Sequence, residues 1–249
     1  MSAGEIVAIA AAGLAAGTVN TVVGSGTLIT FPVLLAFGYA PVSANVANTI
    51  GLVPGSVSGS IGYRRELAGQ RERVLRLGAA SVLGGVTGAI LLLVLPAATF
   101  KAVVPVFIAL AVALTVLQPR LNRLAARESP RAQHCRRLAP LTVYITGVYG
   151  GYFGAGQGIL LLAIFGVLLP QNLQRSNALK NVLAGVVNAV AGVYFVLAAH
   201  VEWAPAAIIA VTSVLGAQLG ARYGRRLHPD VLRALIVLVG VAAIVDLLA

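Results

Sequence analysis

Ten apolar stretches follow one another along this chain, at residues 3–23, 27–37, 43–63, 74–95, 100–117, 139–153, 157–169, 176–199, 204–221 and 231–248. Most approach the ~20 residues that a helix needs to cross a hydrocarbon core of ~30 Å. Backbone in lipid must satisfy its own hydrogen bonds, so a chain of this kind folds as helices or as a closed barrel. The strict alternation and ~10-residue spacing of barrel strands are missing. Only 10% of the residues are charged and 59% are hydrophobic, against about 25% charged in a soluble domain. That charge cannot cover a water-facing surface. The expected class is an all-α integral membrane protein, multi-pass, with the lipid bilayer as its solvent.

The formal net charge of +11 would point to nucleic acid in a soluble protein. Here the arginines gather between apolar stretches, so they report orientation, and no nucleic-acid partner is expected. Arg64, Arg65, Arg71, Arg73 and Arg76 follow the third stretch. Arg120, Arg123, Arg127, Arg131, Arg136 and Arg137 fill "QPRLNRLAARESPRAQHCRRLAP", the one long polar segment. Arg222, Arg225 and Arg226 follow the ninth stretch. These three loops are expected in the cytoplasm, and the Lys- and Arg-free loops at 96–99 and 200–205 outside. Stretches three to five then run opposite to stretches eight to ten, and both termini lie outside. The N-terminus lacks the basic region of a signal peptide and reads as a retained first helix.

The two sides of the polar segment resemble each other. "VLGGVTGA" at 82–89 matches "VLGAQLGA" at 214–221. "GSGT" at 24–27 falls opposite "GAGQ" at 154–157, and "ANT" at 47–49 falls near "KNV" at 180–182, one or two residues out of step. Together with the charge pattern, this predicts two inverted-topology repeats. The N-terminal repeat is 1–119, a basic cytoplasmic linker covers 120–137, and the C-terminal repeat is 138–249. Each repeat has a broken or re-entrant helix pair plus three spanning helices.

Stretch 27–37 reaches only about 16 Å as a helix, half of the hydrocarbon core, and 157–169 is similarly short. Both follow a Gly-x-Gly. A helix start inside the membrane leaves N–H groups unpaired and attracts anions. The same glycines also suit tight turns and close helix packing, and both readings stand at this level. The nearby polar residues are Asn20, Thr21, Ser25, Thr27, Asn45, Asn48, Thr49, Gln157, Asn177, Lys180, Asn181 and Asn188. Lys180 lies five residues beyond Arg175, roughly 7–8 Å deeper by helical rise. It reads either as a counter-charge for an anion or as a side chain snorkelling to the interface. Gly51, Gly55 and Gly59 have the spacing of a close-packed helix face.

The chain has no Walker motif, metal cluster or Ser/His/Asp arrangement, so no enzyme activity, cofactor or metal is expected. Cys135 is the only cysteine and cannot form a disulfide within the chain.

On "GTVNTVVGSGTLITFPVLLAFGYAPVSANVANTIGLVPGSVSG" and "GVYGGYFGAGQGILLLAIFGVLLPQNLQRSNALKNVLAGVVNAVAGVYFVLAAHVEW", the chain resembles the TauE/SafE sulfite exporters, or TSUP transporters, over nearly its whole length. The resemblance implies a bacterial inner-membrane carrier for sulfite, sulfonates or related anions. By position, Gly24, Ser25, Gly26, Asn48 and Thr49 fall on the family's first-half motif, and Gly154, Gly156, Asn177, Lys180 and Asn181 on the second. Gln157 departs from the small or apolar residues frequent there, and the membrane stretches carry no cysteine. The expected function is secondary transport of a small sulfur-containing anion by alternating access. Thr27 and Gln157 join the residues above as the binding set, and H+ is one candidate coupling ion. An anion channel with the same site and a non-transporting membrane scaffold are the alternatives.

Overall fold

The computed structural model describes residues 1–125, 138–169 and 171–224, together with 234, 237, 238 and 241. Among the described residues there is helix and no strand. The helices are α1 (Ala3–Val22), α2 (Thr27–Ala36), α3 (Pro41–Gly62), α4 (Arg71–Val94), α5 (Ala97–Ala125), α6 (Ala139–Tyr152), α7 (Gln157–Leu168), α8 (Leu173–Ala198) and α9 (Trp203–Tyr223). Of these, α1, α4, α5, α8 and α9 are long and apolar enough to cross a membrane. The protein is therefore of the all-α, multi-pass membrane class that its composition predicts. The tenth stretch lies almost wholly outside the described residues, as do linker residues 126–137, Cys135 among them.

Two elements differ from expectation. Helix α5 continues to Ala125, into the segment assigned to the linker. The helix runs on past Pro119, and the residues from Leu121 to Ala125 that continue it include no further Gly or Pro. Helix α3 is long enough to span, but it buries Asn45, Asn48, Thr49, Ser56 and Ser58. Its polar groups face protein rather than lipid.

Local chemistry starts the helices. Ser2 and Glu5 form a reciprocal capping box at α1, and the Asn172 side chain accepts from the Arg175 N–H at 2.9 Å to open α8. Such caps satisfy donors that the helix itself leaves unpaired.

Small residues decide which helices pair. Gly13 and Gly17 of α1 press on Thr212 and Ser213 of α9, and Gly216 and Gly220 of α9 press on Leu14 and Thr18 of α1 along one seam, where a Cβ on Gly216 would lie 2.0 Å from the Leu14 carbonyl oxygen. Gly147 and Gly151 of α6 meet Gly84 and Gly88 of α4 along another, and a Cβ on Gly88 would lie 2.1 Å from the Val148 oxygen. The matched "VLGGVTGA" and "VLGAQLGA" are these two seams. Each joins the first helix of one half to α4 or α9 of the other. Gly51 and Gly55 of α3 press on Ile209 and Ser213 of α9, and Gly59 presses on Thr21, as their spacing predicts.

Charges sort to the two ends. The Tyr39 hydroxyl, just after α2, donates to Glu5 at 2.6 Å. Burial, and then this bond and the Glu5 charge, push the Tyr39 hydroxyl up to about 12, and the Glu202 charge adds to the effect. Helix α2 has ten residues, about 15 Å, so the chain re-enters and returns to the end where α1 began. Ala139 and Leu169 line one cavity with Arg73, Arg76 and Arg175, so the α6–α7 pair also returns to its starting end. Gly62 and Ala221 line another cavity with Arg64, Arg65 and Arg222. One hairpin opens at the end bearing Glu5 and Glu202, the other at the arginine-rich end.

Candidate functional site

The two breaks meet. Helix α1 ends at Val22, and Gly24 turns the chain with φ +93°. Helix α6 ends at Tyr152, and Gly154 and Gly156 turn it with φ +77° and +74°. L-residues with side chains rarely adopt such values. The Gly158 N–H donates to the Gly24 carbonyl at 3.0 Å. A Cβ on either glycine would lie 2.5 Å from the other's Cα. Two irregular segments, one from each half, cross with nothing but backbone between them.

The turns themselves take up several of the N–H groups expected to face a ligand. Leu28 donates to the Ser25 carbonyl at 3.1 Å, Ile29 to Gly26 at 2.9 Å, Gln157 to Gly154 at 3.2 Å and Ile159 to Gly156 at 3.0 Å. Side-chain polar atoms near the breaks are left over as well. Ser25 Oγ, Asn45 Oδ1, Gln157 Nε2 and Asn177 Oδ1 are buried and without a hydrogen-bond partner among the described residues. Buried polar atoms of this kind are uncommon in folded proteins and call for a partner.

Each break also ends a helix, whose last carbonyls lack intrahelical donors. The opposite half supplies donors. Lys180 of α8 donates from Nζ to the Asn20 and Thr21 carbonyls at 2.8 and 3.1 Å, and Asn181 Nδ2 to Thr21 at 3.3 Å. Asn45 of α3 donates from Nδ2 to the Tyr152 carbonyl at 3.0 Å. Counted from the helix starts, Asn45 corresponds to Asn177, Asn48 to Lys180 and Thr49 to Asn181. This register has the same spacing as the two seams, and it resolves the slippage between "ANT" and "KNV". Corresponding positions differ in use: Lys180 reaches across to α1, while Asn48 ties down its own half. Asn48 Nδ2 donates to Thr27 Oγ1 at 3.2 Å, and its Oδ1 accepts from the Thr30 hydroxyl.

Lys180 is 1% exposed, and its stem runs over the crossing. Its Cδ lies 3.2 Å and 3.0 Å from where Cβ atoms on Gly24 and Gly158 would sit. The described carboxylates are Glu5, Glu66, Glu72 and Glu202, and none pairs with it. Among the described residues, only helix-end carbonyls accept from this ammonium. Carbonyls at a helix C-terminus carry partial negative charge, so they favour an ammonium there without neutralising it.

The expected binding residues thus divide. Gly24, Lys180 and Asn181 converge at the crossing, with the Asn20 and Thr21 carbonyls and Gly158, which the sequence did not single out. Thr27 and Asn48 form an adjoining cluster with Thr30, and Thr49 is buried on the same helix as Asn48. Gly26 packs on α1, where a Cβ would meet the Ala16 oxygen at 2.6 Å, and Gly156 packs on Ala111 of α5. The Gln157 amide fills the space that Gly150 leaves by having no side chain. Asn177 is turned toward the arginine-rich end, where its Nδ2 donates to Tyr63 Oη at 3.1 Å. Tyr149 braces the second break by donating to the Ala155 carbonyl at 2.5 Å. Phe31, Phe100, Phe107, Tyr152 and Phe153 form an aromatic cluster, edge-to-face except for the stacked Phe107–Phe153 pair.

Residues 9–247 match the family model described as "Sulfite exporter TauE/SafE". The probable membrane transporter protein YfcA of Escherichia coli K12 is 27% identical over 225 residues, covering 90% of this chain and 82% of that protein. The probable membrane transporter protein ORF9 of a Sinorhizobium species is 28% identical over 240 residues, covering 94% and 88%. A probable membrane transporter protein of Haemophilus influenzae is 28% identical over 229 residues, covering 91% and 88%.

Proposed function

The chain belongs to the sulfite exporter TauE/SafE family of membrane transporters, and from that premise we propose that it is a secondary transporter moving sulfite or a small organosulfonate across the bacterial inner membrane by alternating access. The observation that carries this reading is the Gly24–Gly158 crossing with Lys180 laid over it. The crossing belongs to both halves, so a ligand bound there would feel any movement of one half against the other. Lys180 supplies the positive charge. The Ser25 hydroxyl and the Gln157 amide, buried and unpaired, are hydrogen-bond donors for an oxyanion. An arriving anion would compete with the Asn20 and Thr21 carbonyls for the Lys180 ammonium. Binding would thereby loosen one of the contacts that join α1 to α8.

The halves act as inverted repeats in this mechanism, one hairpin entering from each side. The arginine-rich end faces the cytoplasm and the N-terminus the periplasm, following the positive-inside rule. Each net charge moved through 100 mV contributes about 2.3 kcal/mol, so the membrane potential, or a coupling ion such as H+, drives the cycle.

Purified protein in proteoliposomes tests the reading. Sulfite or a short alkylsulfonate should enter with saturating kinetics and exchange against internal anion. A single-channel conductance would make the protein a channel, and the absence of flux for every anion tried would leave it a scaffold.

A further inference from the structure

The arginine-rich end carries a second feature, away from the crossing. Arg73, Arg76 and Arg175 surround a cavity of about 350 Å³ whose apolar wall is Leu77, Ala139 and Leu169. The first turns of α4, α6 and α8 all contribute to it. Helix N-termini already carry partial positive charge, and arginine in a first turn opposes the macrodipole. Helix stability therefore does not account for placing Arg73 and Arg175 there. Among the described residues, no carboxylate lies within 4.0 Å of any of the three guanidinium groups, Glu72 on the rim included. Arg73 Nη1 donates to Gln171 Oε1 at 2.7 Å and Arg175 Nη2 to the Ala68 carbonyl at 3.0 Å. These bonds hold two of the guanidinium groups in position while most of their N–H donors stay available. Guanidinium forks match phosphate oxygens bidentately.

The lining is two-sided, with guanidinium groups over an apolar wall. Leu138, Leu141 and Leu173, next to the wall in sequence, are exposed, so the wall borders the lipid-facing surface. A lipid headgroup meets both demands, because its phosphate can sit on the arginines while its glycerol and first methylenes cover Leu77, Ala139 and Leu169. Basic pockets between spanning helices on the cytoplasmic side take anionic headgroups in this way. We propose that this cavity binds the phosphodiester of an anionic phospholipid. Free phosphate offers the same oxyanion without the apolar part.

Native mass spectrometry and thermal shift of the purified, delipidated protein separate these sources, using phosphatidylglycerol, phosphatidylcholine and inorganic phosphate as probes. The wild type should retain phosphatidylglycerol about tenfold better than phosphatidylcholine. Arg73→Gln/Arg76→Gln should abolish that preference, and Arg64→Gln, at the neighbouring cavity, should keep it. Arg76→Gln alone, at an exposed side chain, should weaken the preference and serves if the double variant does not fold. Equal retention of the two lipids by the wild type, or an undiminished preference in the Arg73 and Arg76 variants, overturns the proposal. Stabilisation by inorganic phosphate with no lipid preference assigns the arginines to a free anion and overturns it equally.

Discussion

The Gly158 N–H and the Gly24 carbonyl are hydrogen-bonded at 3.0 Å, so the irregular segments of the two halves are joined through backbone alone. The approach allows no Cβ on either residue. Gly24→Ala adds a strained positive φ, about 1–2 kcal/mol, to overpacking of about 1–3 kcal/mol. Gly158→Ala adds only the second. Gly38→Ala is the control, since it has φ +84° with nothing within 4 Å and should carry the strain alone. Thermal melts in detergent should rank Gly24→Ala as the least stable and Gly38→Ala within about 2 kcal/mol of the wild type. A Gly24→Ala protein as stable as Gly38→Ala would mean that the two segments do not cross this closely.

Lys180 separates capping from charge. Lys180→Met leaves the Asn20 carbonyl without its donor, which costs about 1–3 kcal/mol for a buried acceptor. Thr21 keeps its bond from Asn181. Lys180→Gln retains an amide donor and should fold better than Lys180→Met. Both variants lack the positive charge, so both should lose anion flux at least about tenfold, a barrier change of about 1.4 kcal/mol. Wild-type flux in Lys180→Gln would reduce Lys180 to a cap.

Asn48 holds Thr27 and Thr30 to α3 from within the same half. Asn48→Ala leaves the buried Thr27 hydroxyl without its donor and Thr30 with only its long 3.4 Å bond to the Gly26 carbonyl, and should lower stability by about 1–3 kcal/mol. In a double-mutant cycle, Asn48→Ala and Thr30→Val should couple by about 0.5–3 kcal/mol. Additive losses would show that the bond between them contributes nothing to stability.

The apolar stretches and both breaks were legible because lipid imposes hydropathy and length directly on the sequence. The partners of the key side chains were not. Lys180 and Asn181 bond to backbone carbonyls of Asn20 and Thr21, about 160 residues away in sequence, and a carbonyl leaves no mark on residue type. Gly158 looked like one more glycine in "GQGILLL" because its role exists only where another chain segment passes within contact. The register of Lys180 with Asn48 was obscured because the spacing between the halves shifts by two residues between the breaks and the third helices. On α3, the asparagines and glycines of the buried side were legible, and Ser56 and Ser58 were not, because a serine lowers hydropathy whichever way it faces.

Orientation follows from the sorting of charge and can be read chemically. His200 is exposed at the end that carries Glu5 and Glu202, and Arg65 is exposed at the arginine-rich end. In a Cys135→Ser background, His200→Cys and Arg65→Cys each introduce one thiol at a surface where a side chain changes little else. A membrane-impermeant maleimide applied to intact cells should label His200→Cys and leave Arg65→Cys unmodified until the cells are opened. Labelling of Arg65→Cys in intact cells would reverse the assignment. The arginine-rich cavity would then face the periplasm, and the α6–α7 hairpin, rather than α1–α2, would enter from outside.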